Sequence, residues 1–408
     1  MKPPPDRLPD LPDFLSSSSP EVPEGIARRV SEAFGGQAAL LLLDIDGLYV
    51  HPTAIYPDPE EEQELLGVNV PLMELEEHTL SRAIFDRRTM TMTGGEWAGI
   101  VPVEGEYLAI VPVQMADETV GVLLVASEEE FAGETLRALD RVGAQAGAAL
   151  GIAERYSDSV WRARRRIKPS LAAQVQHDLL PPQEQYADGF SVTGRIEPAY
   201  DVGGDWYDYA ITDGGLFLAV ADVSGRGLAA EHLATTVFGA VRKARRDREE
   251  LPGIAAAAHR ALEEISSPGH FCTMLLAIVD TETHEIELLN AGHPAPILIP
   301  AGTERPPAPL QSSRKNPPIG ALRGEEAPEY FSEEHRLEPG SRLLFYTDGI
   351  TERRDGAGEM LGEEGLVRFV ADARALAPLP FVHDLLRQVA DRSESPIKDD
   401  ATAVIVDL

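Results

Sequence analysis

The chain has a single cysteine, Cys272, in 408 residues. One cysteine excludes an internal disulfide and fits a reducing compartment. Its place in the apolar run FCTMLLAIVD reads as a buried thiol. Cations are scarce as well: 36 Lys and Arg stand against 68 Asp and Glu, for a formal net charge of −32. That deficit excludes nucleic acid and anionic membrane as partners, because both need a cationic surface. No uninterrupted apolar run reaches the roughly 20 residues needed to cross a bilayer. The opening MKPPPDRLPDLPDFLSSSSP lacks the apolar core of a signal peptide. A soluble, cytoplasmic protein is expected.

What is present is enough for ordinary packed cores: hydrophobic residues make up 43% of the chain. At about 100–200 residues per domain, the length suggests two or three domains. Residues 1–21, rich in Pro and Ser, read as a disordered tail. Residues 22–151 read as a small α/β unit. GIARRVSEAF places Ile26, Ala27, Val30 and Phe34 at helical spacing before Gly35-Gly36. AALLLLDIDGLYVH gives two apolar runs hinged at Asp46-Gly47, a hairpin signal. A helix through Leu80, Ala83 and Ile84 follows, then a second hairpin turning at Ala116-Asp117. A long helix closes the block, with Leu136, Leu139, Val142 and Ala146 on one face. The phrase YLAIVPVQMADETVGVLLVAS and this element order resemble a GAF domain, with PAS domains sharing part of the topology. The resemblance implies a sensor whose signal, a small molecule or a protein, is not readable here. His51 and His78 are isolated and read as structural or solvated rather than as ligands.

Residues 152–182 read as a helical connector. RARRRIK is the one dense basic cluster and is expected to be a solvated face. Pro169 should interrupt the helix. Beyond it Leu171, Val175 and Leu179 form an apolar stripe, from which a parallel homodimer through the connector is expected.

From residue 183 to 408 strands and turns alternate, with helical segments GLAAEHLATTVFGAVRKARRD, LPGIAAAAHRALEEI and EEGLVRFVADARALA between them. This implies an α+β layered fold. Four carboxylates stand out: Asp205, Asp222, Asp348 and Asp399. Three of them begin or end apolar strands (LAVAD, LLFYTD, DDATAVIV). Carboxylates crowded at such edges stay charged only if a cation neutralises them. Oxygen-only ligation selects Mg²⁺ or Mn²⁺ over zinc. Two such ions roughly 3.5–4 Å apart bridge a water, lower its pKa and aim it at phosphorus. Hydrolysis of a phosphomonoester is the reaction implied. One Asp-Gly at a strand end is ordinarily a turn; four such edges together read as a site. Gly225-Arg-Gly227-Leu-Ala-Ala230 imitates a dinucleotide fingerprint with Asp247 downstream. Its strand ends in Asp222, inside the would-be phosphate loop, which argues against that reading.

GGDWYD (203–208), ADVSGRG (221–227), NAGHPAPIL (290–298), FYTDGITE (345–352) and KDDATAVIV (398–406) resemble the PPM metal-dependent Ser/Thr phosphatases of the bacterial RsbU/SpoIIE subgroup. The resemblance implies a PPM-type αββα sandwich that holds two, or three, Mn²⁺ or Mg²⁺ ions. Asp222 would bridge both, with the Val223 carbonyl as a further ligand. Asp348 and Asp399 would hold one ion and Asp205 the other, with Asp400 assisting, and Asp222 and Asp205 would carry catalysis. The implied substrate is a phosphorylated STAS-type anti-sigma factor antagonist. Gly204 and Gly225 would let the backbone approach closely. Arg226 stands where many relatives carry His or Lys and reads as a turn residue within reach of phosphate. The arginine that grips phosphate in eukaryotic relatives has no evident counterpart. His293, between Gly and Pro, reads as a structural turn. The competing reading is a non-catalytic GAF/PPM signalling scaffold that binds a partner protein.

Overall fold

The computed structural model describes residues 4–5, 7–16, 21–45, 47, 49–57, 70–72, 78–93, 103, 105–165, 170–187, 189–197, 204–302, 304–324, 328–393 and 399–408. The chain divides into two compact units, Met1–Ile167 and Lys168–Leu408.

In the first unit β1 (Ala38–Leu43), β2 (Tyr49–Tyr56), β3 (Val70–Pro71), β4 (Met90–Thr93), β5 (Tyr107–Met115) and β6 (Glu118–Ser127) form one antiparallel sheet. Its order is β3-β2-β1-β6-β5-β4. The strand β1 is apolar throughout because both sheet faces are covered. Ala38, Leu40 and Leu42 pack toward the helices Val22–Phe34 and Gly133–Tyr156, while Ala39, Leu41 and Leu43 face the cluster that holds Leu80 and Ile84 of helix Thr79–Phe85. Alternation of side chains along a strand requires this split. Both expected hairpins form. Asp46 of the first lies outside the described residues, and Ala116 of the second turns at φ 55°.

The tail expected to be disordered carries a short helix, Leu11–Phe14, closed by a reciprocal capping box between Asp10 and Asp13. Phe14 is fully buried, and the Leu11 N–H donates to Gln145 Oε1 at 3.1 Å. One aromatic and two flanking leucines, Leu11 and Leu15, are enough apolar surface to dock the segment. His78 caps the helix Thr79–Phe85, accepting from the Leu80 N–H at 3.2 Å. His51 donates to the Ala163 carbonyl, and burial lowers its pKa.

The long helix runs to Tyr156, and a short helix, Ser159–Ala163, follows it. Arg164, in the cluster expected to be solvated, is instead buried: its Nε donates to the Leu43 carbonyl at 3.2 Å and its Nη2 to Glu118 Oε1 at 2.7 Å. Residues 166–169, with Arg166 and Lys168 of the basic cluster and Pro169, lie outside the described residues.

The second unit opens with the helix Leu171–Leu179, capped by the Ser170 hydroxyl. Ala172, Ala173 and Gln176 are its buried face; of the expected apolar stripe Leu171 is 64% exposed, whereas Val175 is half-buried and Leu179 packs against the helix-facing core. Two antiparallel sheets follow. The first has the order β15 (Glu333–Arg336), β12 (Glu285–Ala291), β11 (Cys272–Asp280), β10 (Gly215–Val223), β9 (Asp205–Thr212). The second has the order β14 (Ala308–Pro309), β13 (Ile297–Ile299), β16 (Arg342–Tyr346), β17 (Ala401–Asp407), β8 (Phe190–Glu197), β7 (Glu184–Ala187).

The two sheets face each other across a core that includes Leu216, Leu218, Val220, Leu343, Phe345, Val404 and Val406. Phe217, Ala219 and Ala221 point the other way, toward helices Gly227–Arg246 and Leu251–Ile265. Leu344 and Ile405 face helices Gly362–Ala373 and Pro378–Asp391. The result is a helix–sheet–sheet–helix sandwich. Cys272 is buried, as expected. The neighbours of β10 are antiparallel to it, so Gly225–Ala230 is no βαβ phosphate loop. Asp247 closes a helix end on Lys243 at 2.5 Å.

A candidate metal-dependent phosphatase site

Strand register builds the site. β9 starts at Asp205 and β10 ends at Val223, and their antiparallel pairing sets Asp222 directly across from Asp205. By alternation both share the face of Leu216, Leu218 and Val220, the side toward the second sheet. On that sheet Thr347 follows β16 and Thr402 lies in β17. The Thr347 N–H donates to the Thr402 carbonyl at 3.1 Å, and the Thr402 N–H to Thr347 Oγ1 at 3.0 Å. Both hydroxyls then donate to Asp205 Oδ2, at 2.6 Å from Thr347 and 2.5 Å from Thr402. One buried carboxylate thus stitches the two sheets together at the end where the other acids sit.

The acids fall into two overlapping sets. Burial, then the nearby charges of Asp400 and Asp222, raise the pKa of Asp205 well above its ordinary value, against the two threonine hydrogen bonds. Burial, then Asp348, Asp399 and Glu352, raise Asp222 to about 7. Asp348 is raised by burial, Glu352 and Asp399. Asp222 is the member common to both sets. Each would ionise more easily with a cation nearby.

Two glycines let the backbone close around these side chains. A Cβ on Gly204 would lie 2.1 Å from the Val223 carbonyl oxygen, and one on Gly349 would lie 1.9 Å from that of Asp400. Gly225 turns at φ 117°, in the region that favours glycine. Gln176 donates from the helix Leu171–Leu179 to the Asp205 carbonyl at 2.6 Å.

All six residues anticipated from sequence are therefore at one end of the sandwich. Asp205 and Asp400 are buried, Asp399 is exposed, and the side chain of Val223 lies in the helix-facing core. Thr347, Thr402, Glu352, Gly349 and Gln176 were not singled out. The threonines could have been found from strand alternation, since Thr347 continues the inward positions of Leu343 and Phe345 and Thr402 those of Val404 and Val406. Gln176 had no such signal. Among the described residues, no three His, Cys, Asp or Glu side chains are closed into a chelating group. His293 is a turn residue, as expected: Asn290 Oδ1 accepts from its N–H and Asn290 Nδ2 donates to its carbonyl, both at 2.8 Å. Burial pushes its imidazole down to about 4.

Residues 212–408 match the family described as Stage II sporulation protein E (SpoIIE), and residues 18–151 match a GAF domain. The chain is 24% identical over 249 residues to Protein IcfG of Synechocystis sp., covering 53% of this chain and 37% of that protein. It is 20% identical over 236 residues to Phosphoserine phosphatase RsbU of Bacillus subtilis, covering 58% of this chain and 68% of the relative. The matched stretch thus spans little more than a third of the first relative. Among solved structures, the SiaA-PP2C domain of Pseudomonas aeruginosa is similar at 20% identity and a TM-score of 0.48, covering 58% of this chain and 94% of that one. By these matches the chain carries a GAF domain followed by a SpoIIE domain.

Proposed function

We propose that the chain is a sensor-regulated, Mg²⁺- or Mn²⁺-dependent phosphoprotein phosphatase acting on phosphoserine or phosphothreonine. The observation that carries this is the pairing of Asp205 with Asp222 where the two sheets meet, inside the field of Asp348, Asp399 and Asp400. The donor set fits the ions. It is all oxygen, its carboxylates repel one another, and Gly204 and Gly349 leave no room for a Cβ. Asp222, the Val223 carbonyl, Asp205, Asp348 and Asp399 would hold two ions, with Asp400 assisting or holding a third. When bound, the ions neutralise phosphoryl charge and make a water acidic enough to attack phosphorus.

The chain's own residues do the positioning. Thr347 and Thr402 fix the Asp205 carboxylate, and the Val223 N–H donates to the Gly204 carbonyl at 3.1 Å, which holds the ends of β9 and β10 in register. His293, neutral at pH 7, supports the neighbouring turn. The substrate is a phosphorylated protein of the STAS type, consistent with similarity to a relative named as a phosphoserine phosphatase. The GAF domain supplies regulation through the connector, and Gln176 gives the connector helix a grip on the Asp205 backbone.

Hydrolysis of p-nitrophenyl phosphate by the full chain should require Mn²⁺ or Mg²⁺, and Gln176→Ala should shift the metal concentration for half-maximal rate. Absence of metal-dependent turnover would favour the scaffold reading, and an unshifted metal dependence would remove the Gln176 coupling. The exposed Leu171 supports a homodimer through the connector helix. Light scattering at micromolar concentration should give twice the chain mass, and a monomer would sink that part of the proposal.

A further inference from the structure

The loop from β10 into the helix Gly227–Arg246 contains Arg226, between Gly225 at φ 117° and Gly227 at φ 66°. Its side chain is 61% exposed, and its Nη2 lies 3.6 Å from Asp399 Oδ2. Arg226 is thus the cation that the structure sets against one of the four carboxylates. The contact is long and has one nitrogen facing one oxygen, so water competes with it and it is easily exchanged. A phosphate group offers the planar guanidinium fork two oxygens at once, which Asp399 at this distance does not.

We infer that Arg226 is the substrate-anchoring residue of this site, resting on Asp399 in the free protein and passing to the substrate phosphate on binding. The inference rests on the phosphatase reading above and adds to it a named phosphate contact. Three observations lead there. The residue follows Asp222 by four positions, so the same turn that ends β10 presents it at the site's rim. The flanking left-handed glycines set the course of the backbone at that position. The chain's acidity, −32 overall, works against the approach of a phosphate dianion, and a guanidinium at the rim offsets that repulsion locally. Exchange also accounts for both partners: Asp399 gives up its arginine when it takes part in holding an ion, which leaves the guanidinium available.

The test is calorimetric titration of the full-length protein with Mn²⁺ and then with inorganic phosphate, comparing wild type, Arg226→Ala and Arg226→Lys. Arg226→Ala should weaken phosphate binding by about tenfold. Arg226→Lys should recover part of this, since it keeps the charge and loses the fork. Mn²⁺ affinity should be unchanged or slightly tighter in Arg226→Ala, because a competitor for Asp399 is gone. Equal phosphate affinity in wild type and Arg226→Ala overturns the assignment and leaves the phosphatase reading standing. Mn²⁺-supported phosphate binding that depends on Arg226, in a protein that hydrolyses no phosphomonoester, supports the assignment and sinks the phosphatase reading. A loss of Mn²⁺ affinity as large as the loss of phosphate affinity makes Arg226 a support for the acids and also overturns the assignment.

Discussion

Each domain buries charge, and the two do so in opposite ways. In the GAF domain Arg164 is set against Glu118 at 2.7 Å, with side-chain exposures of 11% and 12%. Burial would lower the pKa of Arg164, but Glu118, Glu154 and Asp44 more than offset it, so the guanidinium is held more firmly charged than usual. In the second unit Asp205, Asp222 and Asp348 are surrounded by further acids, and all three are pushed up. A cluster that contains its own cation is held largely by the fold itself, even though burial still raises Glu154 beside Arg164. An unbalanced one costs stability and persists where something outside the chain completes it. The contrast separates a structural charge cluster from a functional one without reference to any relative.

The strongest way to break the comparison is Asp222→Asn. Mn²⁺-dependent turnover should fall by at least about a thousandfold, while the fold survives. Stability moves the other way. Asp222 is raised from an ordinary 3.8 to about 7, so the folded chain binds that proton more tightly than the unfolded one. The stabilisation from that proton is fully present below the unfolded value and is lost as pH rises through the folded value. In chelator-treated protein the melting temperature should therefore fall as pH goes from about 4 to about 7, and Asp222→Asn should flatten the fall. Asp205 and Asp348 titrate in the same direction and will keep part of the slope. Thermal melts across that range check it. A variant that keeps its turnover, or melts lower than wild type at pH 7 under chelation, would remove Asp222 from the unbalanced cluster.

Much of this contrast was readable before the fold. The acids at strand edges were visible because LAVAD, LLFYTD and DDATAVIV each join an apolar run to a carboxylate. Asp205 was singled out, but the strand it begins was not. DWYDYAIT is itself a strand, yet its acids disguise it as a loop, because the partners that permit them are distant in sequence. Asp208 is buried under Arg242, which reaches it with two nitrogens at 3.1 and 2.8 Å from the helix Gly227–Arg246. Asp205 is held by threonines of the other sheet. The family match beginning at residue 212 also leaves Asp205 outside, so its place in the site rests on strand register and on the two threonine hydrogen bonds. The helix Pro378–Asp391 was missed for another reason: Pro378 and Pro380 mask a face of Phe381, Val382, Leu385, Leu386 and Val389 that packs on the sheet. Those prolines sit in its first turn, where the helix has no need of their N–H groups. The connection between Arg164 and Glu118 was not legible at all, since 46 residues separate them and no local pattern marks either.

The balanced cluster gives the smaller and sharper test. Arg164→Met leaves Glu118 buried without its guanidinium and should cost the GAF domain roughly 3–5 kcal/mol. Glu118→Met alone should do comparable damage by stranding Arg164, whose Nε would still hold the Leu43 carbonyl. With both replaced, the pair itself is exchanged nearly neutrally for apolar side chains, but Glu154 and Asp44 lose their cation, so part of the loss should be recovered. Calorimetric scans of the full-length variants resolve this if the GAF transition moves and then returns in part. Mn²⁺ should leave that transition where it is and shift only the phosphatase transition, since the ion completes one cluster and has nothing to complete in the other. A double variant no more stable than the worse single would show that Arg164 acts through its carbonyl contacts rather than its charge, and the GAF cluster would then no longer serve as the balanced member of the pair.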